Sequence, residues 1–225
     1  MLAPEDQGSL SAITSRHCLP WTAEESSRAD LYGLCASLLL DVPDGVLLAS
    51  LGAAAPDLTS LPGNPLQDAL GKLAAAASIT PQGTVRDQFD TLFTSTGTPV
   101  INPYASVYLA GFMNDKPLAR LRGDLAQLGL ARVAGRGEAE DHLGVLCEIM
   151  RVMIGSEQLR QPLWRQQQFF FRHIHPWYAA CLTQVRQTAG ATFYGRAAHV
   201  VHTFLEIEAQ AFTIDHPASQ TEETS

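Results

Sequence analysis

Residues 138–155 read Glu138-Ala139-Glu140-Asp141-His142-Leu143-Gly144-Val145-Leu146-Cys147-Glu148-Ile149-Met150-Arg151-Val152-Met153-Ile154-Gly155. Leu143, Leu146, Cys147, Met150, Met153 and Ile154 recur at the three- and four-residue steps of a helix, not at the two-residue step of a strand. One apolar stripe on a mixed segment is the pattern of a helix packed on a core. The spacing places its start near Glu138, where carboxylates complement the helix dipole, and its end at Gly155.

The same period extends in both directions. Thr22-Ala23-Glu24-Glu25 is a capping box, followed by Leu31, Leu34, Cys35, Leu38 and Leu39, which predicts a helix over 23–40. Pro43 opens a short helix carrying Val46, Leu47 and Leu51. A loop is expected over 56–63. Asn64 then caps, and Pro65 begins, a helix holding Leu66, Ala69, Leu70 and Leu73. Thr84 is read as the cap of the next, with Val85, Phe89, Leu92 and Phe93 on one face. Residues 94–114 lack a period but hold aromatics, which predicts an ordered, functional loop. Further helices are expected over 115–129, from Pro162 to near Phe171, from Trp177 to near Ala189 and from Phe193 to Phe212, with a loop over 132–137. No stretch alternates as a strand does. The chain is therefore expected to be all-α, a single bundle of about nine helices. Residues 1–21 read as a flexible arm, 22–214 as the domain, and 215–225 as a disordered polar tail.

The 225 residues are 46% hydrophobic and only 17% charged, with a net charge of −8. A general nucleic-acid binder needs a basic footprint, and this balance lacks one. A basic peptide or a cationic ligand suits it better. The four cysteines stand far apart, with no C-x-x-C pair. Cys35, Cys147 and Cys181 sit among apolar residues and read as buried free thiols. Met1 to Asp6 show neither the basic nor the apolar part of an export signal. The apolar run near Leu34–Leu40 is short of the ~20 residues that span a bilayer. A cytoplasmic protein without stable membrane insertion is expected.

Catalytic signatures are missing: there is no phosphate-cradling glycine loop and no nucleophile elbow. His173 and His175 diverge on a helix. His199, His202 and Glu206 share a face, which reads as amphipathic surface rather than a metal site. No catalytic residue, metal or cofactor is therefore assigned, and a non-enzymatic role is expected. The alternative is an all-α enzyme or a nucleotide-binding regulator built on Asp141 and His142, a side chain whose charge can change near neutral pH. Glu138, Glu140, Asp141 and His142 would equally form an anionic edge of a peptide groove. Pro103-Tyr104 and His175-Pro176-Trp177 are two proline–aromatic corners suited to walling one groove.

Four pieces, in this order, resemble one family. They are Phe89-x-x-Leu92-Phe93 leading to Pro103-Tyr104-x-Ser106-Val107-Tyr108-Leu109; Glu138-x-x-Asp141-His142-Leu143-Gly144; Phe169-Phe170-x-x-His173-Ile174-x-Pro176-Trp177; and Phe193-Tyr194. From Leu31 to Phe212 the chain resembles the TorD/DmsD redox-enzyme maturation chaperones, related to the NarJ type. The resemblance implies an all-α TorD-like fold, monomeric or domain-swapped. It implies a cytoplasmic chaperone for a molybdenum-cofactor oxidoreductase subunit of the DMSO reductase superfamily. Such a chaperone binds the subunit's N-terminal, twin-arginine signal region and delays export or assembly until the cofactor is inserted. By match, it implies signal-peptide binding by Pro103, Tyr104, Ser106, Tyr108, Glu138, Asp141 and His142, and a hinge region at His173, Pro176 and Trp177.

Overall fold

The computed structural model describes residues 21–60, 63–94, 99–113, 115–130, 137–188 and 190–214. The arm expected over 1–20 and the tail expected over 215–225 lie outside the described residues. Among those described, the chain forms eleven α-helices and no strand. They are α1 (Ala23–Leu40), α2 (Gly45–Ala53), α3 (Ala55–Ser60), α4 (Pro65–Ile79), α5 (Gln82–Phe89), α6 (Ala105–Ala110), α7 (Lys116–Gln127), α8 (Leu143–Gly155), α9 (Leu163–His173), α10 (Tyr178–Gln187) and α11 (Thr192–Ile214). A π-helical stretch, Asp90–Thr94, continues α5.

Helix starts follow local chemistry where a side chain can reach the free amides. Thr22 Oγ1 accepts from Glu25 N at 3.1 Å, and Glu25 Oε2 accepts from Thr22 N at 3.0 Å, so the capping box forms as read. Asn64 caps α4 at 3.0 Å, with Pro65 in its first turn. Four readings need correction. Pro43 is not the first residue of α2, which starts at Gly45 behind the Asp44 cap, whose carboxylate accepts from Leu47 N at 2.7 Å. Pro56 sits in the first turn of α3, where a missing N–H costs nothing, so part of the expected 56–63 loop is helical. Helix α5 starts at Gln82, behind Pro81 rather than Thr84. The aperiodic stretch after Thr94 contains α6, a helix too short for periodicity to register, closed by Gly111 at a φ of 83° that glycine adopts without strain.

Helices α1 and α8 pack as an antiparallel pair at the centre. Gly144, at the start of α8, lies where a β-carbon would stand 2.7 Å from Leu40 Cγ at the end of α1. At the other end, a β-carbon on Gly155 would stand 2.8 Å from the ring of Trp21. Tyr32, Cys35 and Leu38 of α1 and Leu146, Cys147, Met150 and Met153 of α8 are fully buried in this seam. Helix α11 closes the core with Val200, Val201 and Leu205, and packs on α1, α4 and α10. Helices α2 and α3 lie on α4, and α6 lies on α7. Phe89, Phe93 and Tyr194 meet at centroid distances of 5.1–5.7 Å, which joins the first and last pieces of the family pattern. Cys35, Cys147 and Cys181 are free and buried, as read, and burial pushes the Cys181 thiol up to about 12. Cys18 lies outside the described residues.

One long-range contact escapes any local reading. Arg28 of α1 donates to both carboxylate oxygens of Glu208 on α11, at 2.8 and 2.7 Å, and Tyr32 Oη donates to the same carboxylate at 3.0 Å. The guanidinium also lies over the Phe212 ring. Glu208 is 3% exposed, so this charge is held in the interior by its partners.

Candidate functional site

The two motifs that the sequence set 35 residues apart meet at the start of α8. Tyr104 and His142 form an isolated antiparallel bridge. Leu143 N donates to Pro103 O at 2.8 Å, and Ala105 N donates to Asp141 O at 2.9 Å. These bonds take up backbone groups at the starts of α6 and α8 that a helix start otherwise leaves free. The Tyr104 ring stands edge-on to His142 at 5.0 Å, and its hydroxyl donates to Glu138.

Glu138 to His142 do not form the first turn of the helix, as the sequence suggested. They make a turn that precedes it, and His142 is the N-cap, its Nδ1 accepting from Gly144 N at 3.1 Å. Each carboxylate of the turn already has work. Glu138 holds Tyr104. Glu140 receives Arg122 at 2.9 and 3.1 Å. Asp141, 1% exposed, accepts from Ser106 N at 2.9 Å and from the Ser106 hydroxyl, which caps α6 from outside that helix. Glu140 and Asp141 are thus engaged inside the fold, Asp141 on the α6 cap, whereas Glu138 stays exposed at the edge.

His142 departs from expectation in the same way. It is 4% exposed, and burial holds its pKa down at about 4, against the pull of Glu138 and Asp141. The imidazole is neutral at physiological pH and serves as a hydrogen-bond acceptor, not as a neutral-pH switch. The unfolded chain, with a pKa near 6.5, binds a proton that the folded chain refuses, so stability falls as pH drops from about 6.5 to about 4. The loss is on the order of 3 kcal/mol at the low end of that window. His173, His199 and His202 are also lowered, first by burial, and act in the same sense. Thermal melts at pH 7.5 and 4.5 test this: His142→Asn, which keeps a capping acceptor without titrating, should lose markedly less stability than wild type. An equal loss in both would place the pH dependence on other groups.

The second proline–aromatic corner joins the first. Trp177 is buried, and its Nε1 donates to His173 O at 2.7 Å. Tyr108 stacks on Trp177 at 5.3 Å and 27°, and its hydroxyl donates to Gln184 at 2.5 Å. His173 Nε2 lies 2.8 Å from Asp124 Oδ2, so the corner is tied to α7 as well. Pro176 is exposed at the mouth of a pocket of about 390 Å³ between α6, α7 and α9. Lys116, Arg120 and Arg172 line that pocket against the single carboxylate of Asp141, so this side of the site is cationic.

Sequence reading missed the surface beside these motifs. Leu109, Phe112 and Met113, at the end of α6, are 45%, 75% and 47% exposed, and Val100 is 55% exposed. The signal was present in an apolar-rich stretch, 94–114, with no single stripe: Ile101 and Ala105 reach the core, and the apolar residues beyond α6 do not. His199, His202 and Glu206 do not converge on a metal: Glu206 accepts from the Tyr178 hydroxyl, and no cluster of three possible ligands occurs among the described residues. No described helix is long and apolar enough to cross a membrane.

A family model described as nitrate reductase delta subunit matches residues 62–183. The chain is 26% identical over 129 residues to the chaperone protein TorD of Aeromonas salmonicida (strain A449), covering 54% of this chain and 58% of that protein. The match thus spans little more than half of that relative. The fold is similar to that of a proposed redox enzyme maturation protein from Archaeoglobus fulgidus, with a TM-score of 0.53 over 84% of this chain and 99% of that one, at 16% identity.

Proposed function

From the premise that the chain belongs to the nitrate reductase delta subunit family, we propose that it is a cytoplasmic, non-enzymatic maturation chaperone. Its client is a molybdenum-cofactor oxidoreductase subunit of the DMSO reductase superfamily. It binds the client's N-terminal signal region, of the twin-arginine type, and delays export or assembly until the cofactor is in place. The observation that carries this reading is the apolar ridge of Leu109, Phe112 and Met113, left in water beside Tyr104 and Tyr108. Large apolar side chains grouped on a surface mark a docking site.

In this reading Tyr104 and Tyr108 offer apolar faces with polar tips to the client's apolar stretch, and Glu138 sits at the rim. Pro103, Ser106, Asp141 and His142 act mainly by holding the α6 and α8 starts together, so that the ridge keeps its shape. Trp177 backs Tyr108, with its indole held by the His173 carbonyl at the corner that Pro176 makes.

The test is a pull-down with the tagged full chain from its own cells, followed by mass spectrometry, then calorimetry with the signal peptide of the recovered subunit. A molybdoenzyme subunit should be recovered. Phe112→Ser with Tyr104→Ala should weaken the peptide by about tenfold or more, the scale of removing two apolar anchors. Melting temperature should change little with Phe112→Ser, since that side chain is exposed. Recovery of no redox-enzyme subunit would sink the reading.

A further inference from the structure

At the far end of α8 from Tyr104 and His142, roughly 20 Å along a helix of thirteen residues, lies a broad cleft. It measures about 1030 Å³ and opens between the start of α1, the α8–α9 connection and the end of α11. Its floor is apolar, with Leu31, Phe204 and Phe212. Its described charged lining is four carboxylates, Glu24, Glu25, Glu157 and Glu208, against two guanidiniums. Glu25 and Glu208 face those guanidiniums directly, Arg160 at 2.5 Å and Arg28 at 2.7 Å. Glu24 and Glu157 remain exposed at the rim, so the cleft has an acidic excess.

A second observation is independent of charge. Gln166, on α9, lines the cleft and is 2% exposed. Its amide nitrogen donates to Gln161 O at 2.9 Å, whereas its carbonyl Oε1 is buried with no hydrogen-bond partner. A buried acceptor without a donor is rare and calls for a specific reason. The family pattern does not include Gln166, Glu24 or Glu157.

We infer that this cleft is a second docking site, which takes a basic–apolar peptide segment of a partner protein. The partner's apolar side chains cover the Leu31–Phe204–Phe212 floor, its N–H donors reach Gln166, and its cations face Glu24 and Glu157. The inference rests on the client-binding reading for the partner's identity, and it moves recognition of basic residues away from the cationic pocket beside Asp141 to the opposite end of α8. Electrostatic and donor–acceptor complementarity then select the segment.

The probe is a fluorescent, end-capped peptide, Arg-Arg-Leu-Leu-Phe-Leu, and its Glu-Glu-Leu-Leu-Phe-Leu counterpart, titrated into the full chain by anisotropy. The arginine peptide should bind, and the glutamate peptide should bind at least about tenfold more weakly. Glu24→Lys with Glu157→Lys, both exposed, should weaken the arginine peptide by about tenfold or more, and Gln166→Leu by several-fold. Val46→Ser, exposed and outside the cleft lining, should leave it unchanged. Wild-type affinity in the double lysine variant, or a loss in Val46→Ser as large as in that variant, would overturn the proposal. So would self-association of the wild type that the double lysine variant abolishes, which would give the cleft to a second copy. Recovery of a molybdoenzyme subunit in the pull-down is read separately. If it fails while the peptide still seats in the cleft, the chaperone reading falls and the site stands.

Discussion

Replacing Arg28 with leucine is expected to lower the stability of the fold by about 3–5 kcal/mol, the usual cost of stranding one partner of a buried ion pair. Glu208, 3% exposed, would keep only the Tyr32 hydroxyl as a donor. The guanidinium's packing on Phe212 would go as well. A double variant, Arg28→Met with Glu208→Gln, removes both charges and keeps an acceptor for Tyr32, so it should recover most of the loss. Urea denaturation of the three proteins gives the answer through the midpoint at constant slope. A single variant as stable as wild type would mean that Glu208 finds water in the cleft it lines.

Asp141→Ala is expected to cost about 3–5 kcal/mol, because two charge-assisted hydrogen bonds to Ser106 disappear together. The Ser106 amide and hydroxyl, both inside a residue with no exposure, would lose their acceptor. Helix α6, only six residues long, has no other side-chain cap. Client binding should fall too, but in step with the ridge losing its shape. Binding and thermal melts on Asp141→Ala and Asp141→Asn separate the two effects. If asparagine, which can still accept from the Ser106 amide, retains most of the stability and most of the binding, Asp141 is a positioning residue. If it retains the stability and loses the binding, the carboxylate itself meets the client.

The elements legible in the sequence are those fixed by neighbours along the chain. Thr22 and Glu25 specify the start of α1 within four residues, and the stripe from Leu143 to Ile154 specifies the buried face of α8. Helices α3 and α6 are each six residues long, less than two turns, so no stripe can form. The turn over 138–142 misleads because a carboxylate cluster before an apolar stripe looks the same whether it caps its own helix or another. Only the fold shows that Asp141 serves α6 and that Glu140 serves Arg122. The meeting of residues 103–108 with 138–142 was legible through the family resemblance; the burial of Asp141 and His142 was not. Arg28 and Glu208, 180 positions apart, carry no joint signal in a single sequence.

That separation also bears on how the protein is made. During synthesis α1 leaves the ribosome first, and its partner on α11 follows 180 residues later, roughly 10–35 s at ordinary elongation rates. Throughout that interval Arg28 lacks its counter-charge, and Tyr32 lacks the Glu208 carboxylate and the Phe204 ring that meet it, even after α8 has covered the rest of the α1 face. A protein of this topology spends its own synthesis as a holder of uncovered apolar surface, and it becomes self-sufficient only when its last long helix has emerged.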